Sequence, residues 1–264
     1  MINRDEIIKR INKIDDKIFV SRLLDKALKS KNSRCVTHSD FLDPYQANII
    51  RKSIGDNSEV NCTFYGGYPG AEREIAVFCP QGMAVSDFHY FEYPIKILQI
   101  KTKSRDSLTH RDFLGSLLGL GIKREKIGDI LLEEDICSVM VMSDIAEFLS
   151  FNLLKVGRSS VEVDLADIGE VQAQGPKFKE ISATVASLRL DCIASVGYGI
   201  SRSKITEYIQ SDRVSLNWEK TTSLTKQVKE GDTISIRGKG RLILEKVGTV
   251  TKKGRLSITL QKYV

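Results

Sequence analysis

Between Ser187 and Lys239 the hydrophobic period switches from helical to alternating, with turn residues at every change, and this order restricts the fold more than any other stretch. Ser187 to Ser195 and Ser201 to Gln210 carry Leu188, Cys192, Ile205, Tyr208 and Ile209 at helical spacing. Gly197-Tyr198-Gly199 separates them, which predicts two short helices broken by a turn. Arg213 to Leu216 then alternates as a strand, Asn217-Trp218 reads as a turn, and Gly231-Asp232 opens a second alternating run, Thr233 to Arg237. Ser201 stands where an N-cap belongs, so the second helix offers unpaired backbone N–H groups beside Arg202 and Lys204. Such a helix end suits a phosphate.

In that order, Arg189-Leu190-Asp191, Ser201-Arg202, Val214-x-Leu216-Asn217, Gly231-Asp232 and Arg237-Gly238 resemble the S-four RNA-binding domain, named after the fourth small-subunit ribosomal protein. The resemblance covers about a quarter of the chain. Asp212 and Trp218 depart from it, standing where that family has glycine. Aspartate tolerates a left-handed backbone, whereas Trp218 implies a different turn or an exposed stacking ring.

Charge is distributed to match. The whole chain of 264 residues carries a formal net charge of +6, and its Lys and Arg exceed its Asp and Glu by 8 within residues 182–264 alone. The rest is slightly acidic, so the basic excess belongs to the C-terminal third, as expected of a part that meets a polyanion. The five cysteines are odd in number and never paired as C-x-x-C, which argues against a disulfide framework or zinc ribbon and for a reducing compartment. With no signal-like N-terminal run and no bilayer-length apolar stretch, the expected setting is cytoplasmic, without membrane association.

From the N-terminus, residues 3–31 predict one or two amphipathic helices, Cys35 to Thr37 a short strand, and Asp43-Pro44 the start of a helix over Tyr45 to Ser53 ending near Gly55. Glu59 to Tyr65 and Arg73 to Phe78 predict two strands joined by a glycine-rich connection. The order then becomes β-α-β-β-α-β: Ile95 to Lys101, Thr109 to Leu118, Ile127 to Leu132, Cys137 to Met142, Asp144 to Leu154 and Val161 to Leu165. That is a ferredoxin-like, RNA-recognition-motif-like unit, without the basic and aromatic strand motif such domains use for stacking. Gly175-Pro176 marks a linker, and Leu242 to Val247 with Leu256 to Leu260 adds a hairpin to the last domain. The fold class is α+β, with an N-terminal α/β domain at 1–80, the ferredoxin-like domain at 81–170, a linker at 171–181 and the S-four-type domain at 182–264.

Leu108 to Ile130 contains His110-Arg111-Asp112, but a kinase catalytic loop needs asparagine five residues after its aspartate, where Leu117 stands. Thr109 and Asp112 instead form a capping box, and Gly119 or Gly121 ends the helix. Gly66 to Arg73 lacks the lysine and serine or threonine of a P-loop and the glycine spacing of a dinucleotide fingerprint. Together these runs resemble the YlmH family of bacterial S-four proteins: Gly-Gly-Tyr and Ala-Glu-Arg (Gly66 to Arg73), then His-Arg-Asp-Phe-Leu-Gly and Leu-Gly-Leu-Gly-Ile (His110 to Ile122), then Ile-Gly-Asp (Ile127 to Asp129). This likeness covers nearly the whole chain. It implies a ribosome-associated RNA-binding protein acting on the large subunit in translation quality control, with ribosomal RNA and transfer RNA as the available surfaces.

The expected RNA-binding residues are Arg189, Arg202, Ser203, Lys204, Arg213, Asn217, Arg237, Lys239 and Arg241, on one basic face that clamps folded RNA by its phosphates. Arg111, Lys123, Arg124 and Lys126 are candidates for a second contact. No catalytic residue, cofactor or metal is expected, and a monomer is. The rival is an RNA-modifying enzyme, of pseudouridine synthase or methyltransferase type, that uses the S-four unit for targeting. Arg189-Leu190-Asp191 echoes the synthase catalytic triplet, but no catalytic domain surrounds it.

Overall fold

The computed structural model describes residues 4–9, 11, 13–54, 60–80, 82–83, 93–102, 108–133, 136–169 and 178–263. The helix end expected near Gly55 and the linker marker Gly175-Pro176 lie outside them. The chain divides into two compact units, Met1–Gln174 and Gly175–Val264.

The first unit opens with α1 (Arg4–Lys9), α2 (Ile14–Ser33), β1 (Thr37–His38), α3 (Pro44–Ile54), β2 (Val60–Tyr65) and β3 (Ile75–Pro80). The strands pair antiparallel in the order β1-β3-β2. Asp43 and Gln46 exchange side-chain and backbone hydrogen bonds at the start of α3, with Pro44 in its first turn. Val20, Leu24 and Ala27 of α2 and Ala47 and Ile50 of α3 are buried against Ala76 and Phe78 of β3.

The unit continues through β4 (Ile95–Thr102), α4 (His110–Gly119), a 3-10 turn at Arg124–Lys126, β5 (Ile127–Leu132), β6 (Ile136–Met142), α5 (Ser143–Asn152), β7 (Lys155–Val156) and β8 (Ser159–Ala166). Its antiparallel sheet runs β5-β6-β4-β8-β7. Phe113 and Leu117 of α4 and Ala146 and Leu149 of α5 pack on Leu98, Ile100, Val139 and Val141, which share one face of the sheet. On the opposite face Ile95, Met140 and Met142 pack with Ile75, Val77 and Cys79 of β3, and with Phe41 and Tyr68. The smaller sheet therefore covers part of the face that an RNA recognition motif leaves open for bases.

The second unit comprises β9 (Phe178–Val185), α6 (Leu190–Tyr198), α7 (Arg202–Gln210), β10 (Val214–Leu216), β11 (Glu219–Lys220), β12 (Thr233–Ile236), β13 (Gly240–Val250) and β14 (Leu256–Tyr263). Its antiparallel sheet runs β11-β10-β12-β13-β14-β9. Ile193, Ala194, Ile205 and Ile209 of the two helices are buried with Val214, Leu216, Ile234, Ile236, Leu242, Leu244, Ile258 and Leu260 of the sheet. Strand alternation then turns Ser215, Ser235, Arg241, Gln261 and Tyr263 to the other face.

Several sequence expectations move. Residues 178–181, assigned to the linker, are the first half of β9, and β9 pairs with β14 from Tyr263↔Phe178 to Leu256↔Val185. The helix expected over Ser187 to Ser195 starts at Leu190 and runs through Gly197 to Tyr198, capped at Gly199. Gly197 is a packing position: a Cβ there would stand 2.4 Å from Leu242 Cδ1 and 2.8 Å from Leu260 Cδ1. The strand expected from Arg73 starts at Ile75, because the N–H groups of Glu72 and Arg73 go to the Asp129 carboxylate rather than to a neighbouring strand. Asn217 and Trp218 have φ of 50° and 63°, so the turn joining β10 to β11 keeps a left-handed pair of residues despite the tryptophan. The indole is half-buried, with Nε1 buried and unpartnered, and it is neither on a different turn nor a fully exposed ring.

Candidate nucleic-acid interface

The sequence gathers the cations of the second unit onto one face; the structure sorts them into two groups on either flank of α7. At about 100° per residue, Arg202 and Lys204 point about 160° apart, with the buried Ile205 and Ile209 marking the side that faces the sheet.

On one flank, Arg189 and Arg202 both donate to Asp191, whose side chain is 5% exposed. Burial alone would raise this carboxyl, but the hydrogen bonds from Arg202 and Arg189 outweigh it and hold the group below its ordinary value. One negative charge thus offsets one of two positive charges. A nucleophilic role for Asp191 is disfavoured by the same geometry, because both oxygens are engaged and the group is enclosed.

On the other flank, Lys204 lies 5.8 Å and Arg213 4.6 Å from the Tyr208 ring centre. Lys204 also pairs with Glu207 at 2.6 Å, which raises the lysine above its ordinary value. Arg213 donates to the Arg237 carbonyl at 3.1 Å, tying the start of β10 to the turn after β12. That turn needs left-handed residues at Gly238 and Gly240, with φ of 80° and 85°, so β13 folds straight back beside β12. Between these parts lies a concavity of about 350 Å³ lined by Asp212, Arg213, Ser215, Lys220, Arg237 and Arg241, among others. Lys220, Arg237 and Lys239 are exposed and have no carboxylate partner among the described residues. Their positive charge is therefore not offset by an ion pair among the described residues.

Of the expected residues, Arg213, Arg237 and Arg241 therefore meet at one cavity, with Lys239 in the adjoining turn. Ser203 is exposed, with its hydroxyl 3.1 Å from that of Ser201. Asn217 is used internally: its side chain donates to Asp232 Oδ1 at 2.7 Å and accepts from the Thr233 N–H at 2.9 Å, locking the turn. Lys220 and the two serines of the sheet face were missed, since only strand register brings them beside Arg241.

In the first unit the second candidate cluster divides. Arg111 and Lys123 are exposed. Arg124 donates to the carbonyls of Ile127 and Gly128; burial, with Arg73 nearby, lowers its guanidinium to about 10. Lys126 bridges Asp40 at 2.9 Å and Asp144 at 2.6 Å. The β7–β8 turn is tied to α4 by the Gly157 N–H donating to Ser116 Oγ at 3.3 Å, and brings exposed Lys155 and Arg158 to the flank of that helix.

The two unexplained motifs prove to be partners. The Asp129 carboxylate accepts from the Tyr68 hydroxyl at 2.8 Å, the Glu72 N–H at 2.6 Å and the Arg73 N–H at 3.1 Å. Arg73 in turn donates to the carbonyls of Ile127 at 3.0 Å and Phe41 at 3.1 Å. At the head of the next motif, Asp112 accepts from the N–H and hydroxyl of Thr109, which hold its carboxyl below the ordinary value, and Gly121 takes the left-handed position after the helix.

Family profiles match along the chain: "YlmH, N-terminal" over residues 15–81, "Putative RNA-binding domain in YlmH" over 89–170, and "Mitochondrial transcription rescue factor 1, C-terminal domain" over 179–260. The chain is also 30% identical over 250 residues to "Ribosome-associated protein quality control protein P2" of Bacillus subtilis (strain 168), covering 94% of this chain and 95% of that protein. The chain belongs to the YlmH family. A solved structure, "Cell division protein ylmH from Streptococcus pneumoniae", shares the fold at a TM-score of 0.50 and 21% identity, covering 60% of this chain and 94% of the other. In this YlmH chain the Gly66 to Arg73 octet and the Ile127 to Asp129 tripeptide are two halves of one internal clasp, whose N–H groups at residues 72 and 73 are already bonded.

Proposed function

We propose that this YlmH-family chain is a non-catalytic RNA-binding protein of the ribosome, and that its C-terminal unit is an S-four-type domain that clamps structured RNA by its phosphates. The reading extends to ribosomal and transfer RNA on the large subunit, in ribosome-associated quality control, with the chain acting as a cytoplasmic monomer. What carries it is the cavity edged by four cations, Arg213, Lys220, Arg237 and Arg241, with Lys239 beside it, where Asp212 is the one acid among the described lining residues. Such an array attracts a polyanion and contacts backbone more than sequence. The name of the Bacillus subtilis relative and the RNA-binding profile over 89–170 support the same reading.

The middle part of the first unit, read here as a ferredoxin-like domain, supplies a second and weaker contact. Its sheet face is partly covered, so the contact runs through the α4 side, by Arg111 and Lys123 with Lys155 and Arg158. Arg124 and Lys126 support the fold instead.

Sedimentation of the full chain with separated ribosomal subunits tests the proposal. The parent should travel with the large subunit at low salt, and Lys220→Glu with Arg237→Glu should stay at the top of the gradient while keeping its thermal midpoint. Equal co-sedimentation of the two proteins would refute the clamp.

A further inference from the structure

The outer face of the C-terminal sheet carries one unbroken row of side chains, and its composition changes along the row. Register places Lys220 beside Ser215, Ser215 beside Ser235, and Ser235 beside Arg241. Arg241 lies 5.5 Å from the Tyr263 ring centre, and Tyr263 pairs with Phe178. The two rings meet edge to face, with centres 4.8 Å apart and planes at 69°. Five strand spacings make the row about 24 Å long. The Lys220 to Arg241 half lines the basic cavity; the other half ends in two aromatic rings, Phe178 being 39% exposed on the edge strand.

A buried core does not explain this arrangement. Most apolar residues of the unit pack on the helix side, and the strands' outer face otherwise carries serine, threonine, glutamine and charged side chains, with the half-buried Ile243 among them. Cations with hydroxyls next to half-exposed rings on an open sheet are what an unpaired nucleic-acid strand requires: phosphates neutralised along the groove, and a base laid against an aromatic face. A protein partner would be favoured by a wider apolar patch than two rings and one half-buried isoleucine beside an arginine.

Resting on the RNA-binding reading above, we propose that this row is a single-strand platform: an unpaired stretch flanking the clamped helix crosses from the basic cavity to Tyr263 and Phe178, and one base stacks on the rings. Stacking on an aromatic side chain is worth roughly 1–3 kcal/mol per base by alanine substitution, so its loss should weaken binding at least about fivefold.

The test compares three RNAs: a blunt hairpin, the same hairpin with a four-nucleotide single-stranded flank, and one whose flank has the same phosphates but abasic sugars. The full-length parent should bind the flanked hairpin at least about fivefold tighter than the abasic version. Phe178→Leu, which keeps apolar bulk on an exposed edge position, and Phe178→Ala should both bring that ratio close to one and leave the blunt hairpin's affinity unchanged. A parent ratio of one, with salt-sensitive binding of the blunt hairpin intact, would overturn the platform and spare the clamp. No binding of any of the three would overturn both. An unchanged ratio in both Phe178 variants would also overturn the platform.

Discussion

Asp191 shows what a single residue does in the C-terminal unit: it is an enclosed carboxylate shared by Arg189, just before α6, and Arg202 of α7. Asp191→Asn should cost about 1–2 kcal/mol, since the hydrogen bonds to a charged group are lost but both arginines stay partly hydrated. The sign of the pH effect follows from the depressed carboxyl. Its contribution is present above the unfolded-state value and is lost as pH falls through the lower folded-state value, so urea melts of parent and variant should converge in acid. Arg202→Ala would disturb the same pair, so it reports on folding as well as on RNA. Asp212 gives the opposite case. It is exposed, left-handed at φ 55°, and the lone acid among the described residues that line the basic cavity. Asp212→Gly should raise stability by about 0.5–1 kcal/mol in thermal melts and tighten RNA binding in the same preparation.

At the level of elements, close approach decides more than propensity. A Cβ at Gly128 would fall 2.6 Å from Phe41 Cε1 and 2.9 Å from Met140 Cβ, inside the core between the two sheets of the first unit. Gly128→Ala should therefore cost about 1–3 kcal/mol by overpacking, read as a lower urea midpoint; no change would mean that the sheets separate easily. The same point explains what sequence could and could not disclose. Periodicity located α4, α5, α7 and most strands, because those elements have one wet and one dry side. It misplaced α6, since Gly197 reads as a breaker until its contact with Leu242 and Leu260 is seen. Strand β9 was hidden because its partner β14 lies far along the chain, and only pairing makes Phe178 to Val185 a strand. The internal clasp on Asp129 was equally out of reach, since spacing says nothing about which N–H groups a distant carboxylate will take.

For the molecule as a whole, the C-terminal concentration of charge was legible in the sequence, and the family likeness named the partners to expect. What sequence could not supply was the sorting of those charges. Arg202 secures α7 to Asp191 of α6, which Arg189 also holds, Asn217 secures a turn, Arg124 and Lys126 secure the first unit, and the cavity keeps Lys220 and Arg237, with Lys239 alongside, free of acidic partners among the described residues. These three residues, rather than the ion-paired Arg202 and Lys204, are therefore the cations most available to phosphate. The most direct measurement is the affinity for a structured RNA across a salt series, for the parent and for a combined Lys220→Ala, Arg237→Ala, Lys239→Ala variant. Each phosphate contact contributes roughly 0.7–0.9 to the log-log slope, so the variant should bind more weakly and show a slope shallower by about 2. Superimposable salt curves for the two proteins would contradict the account.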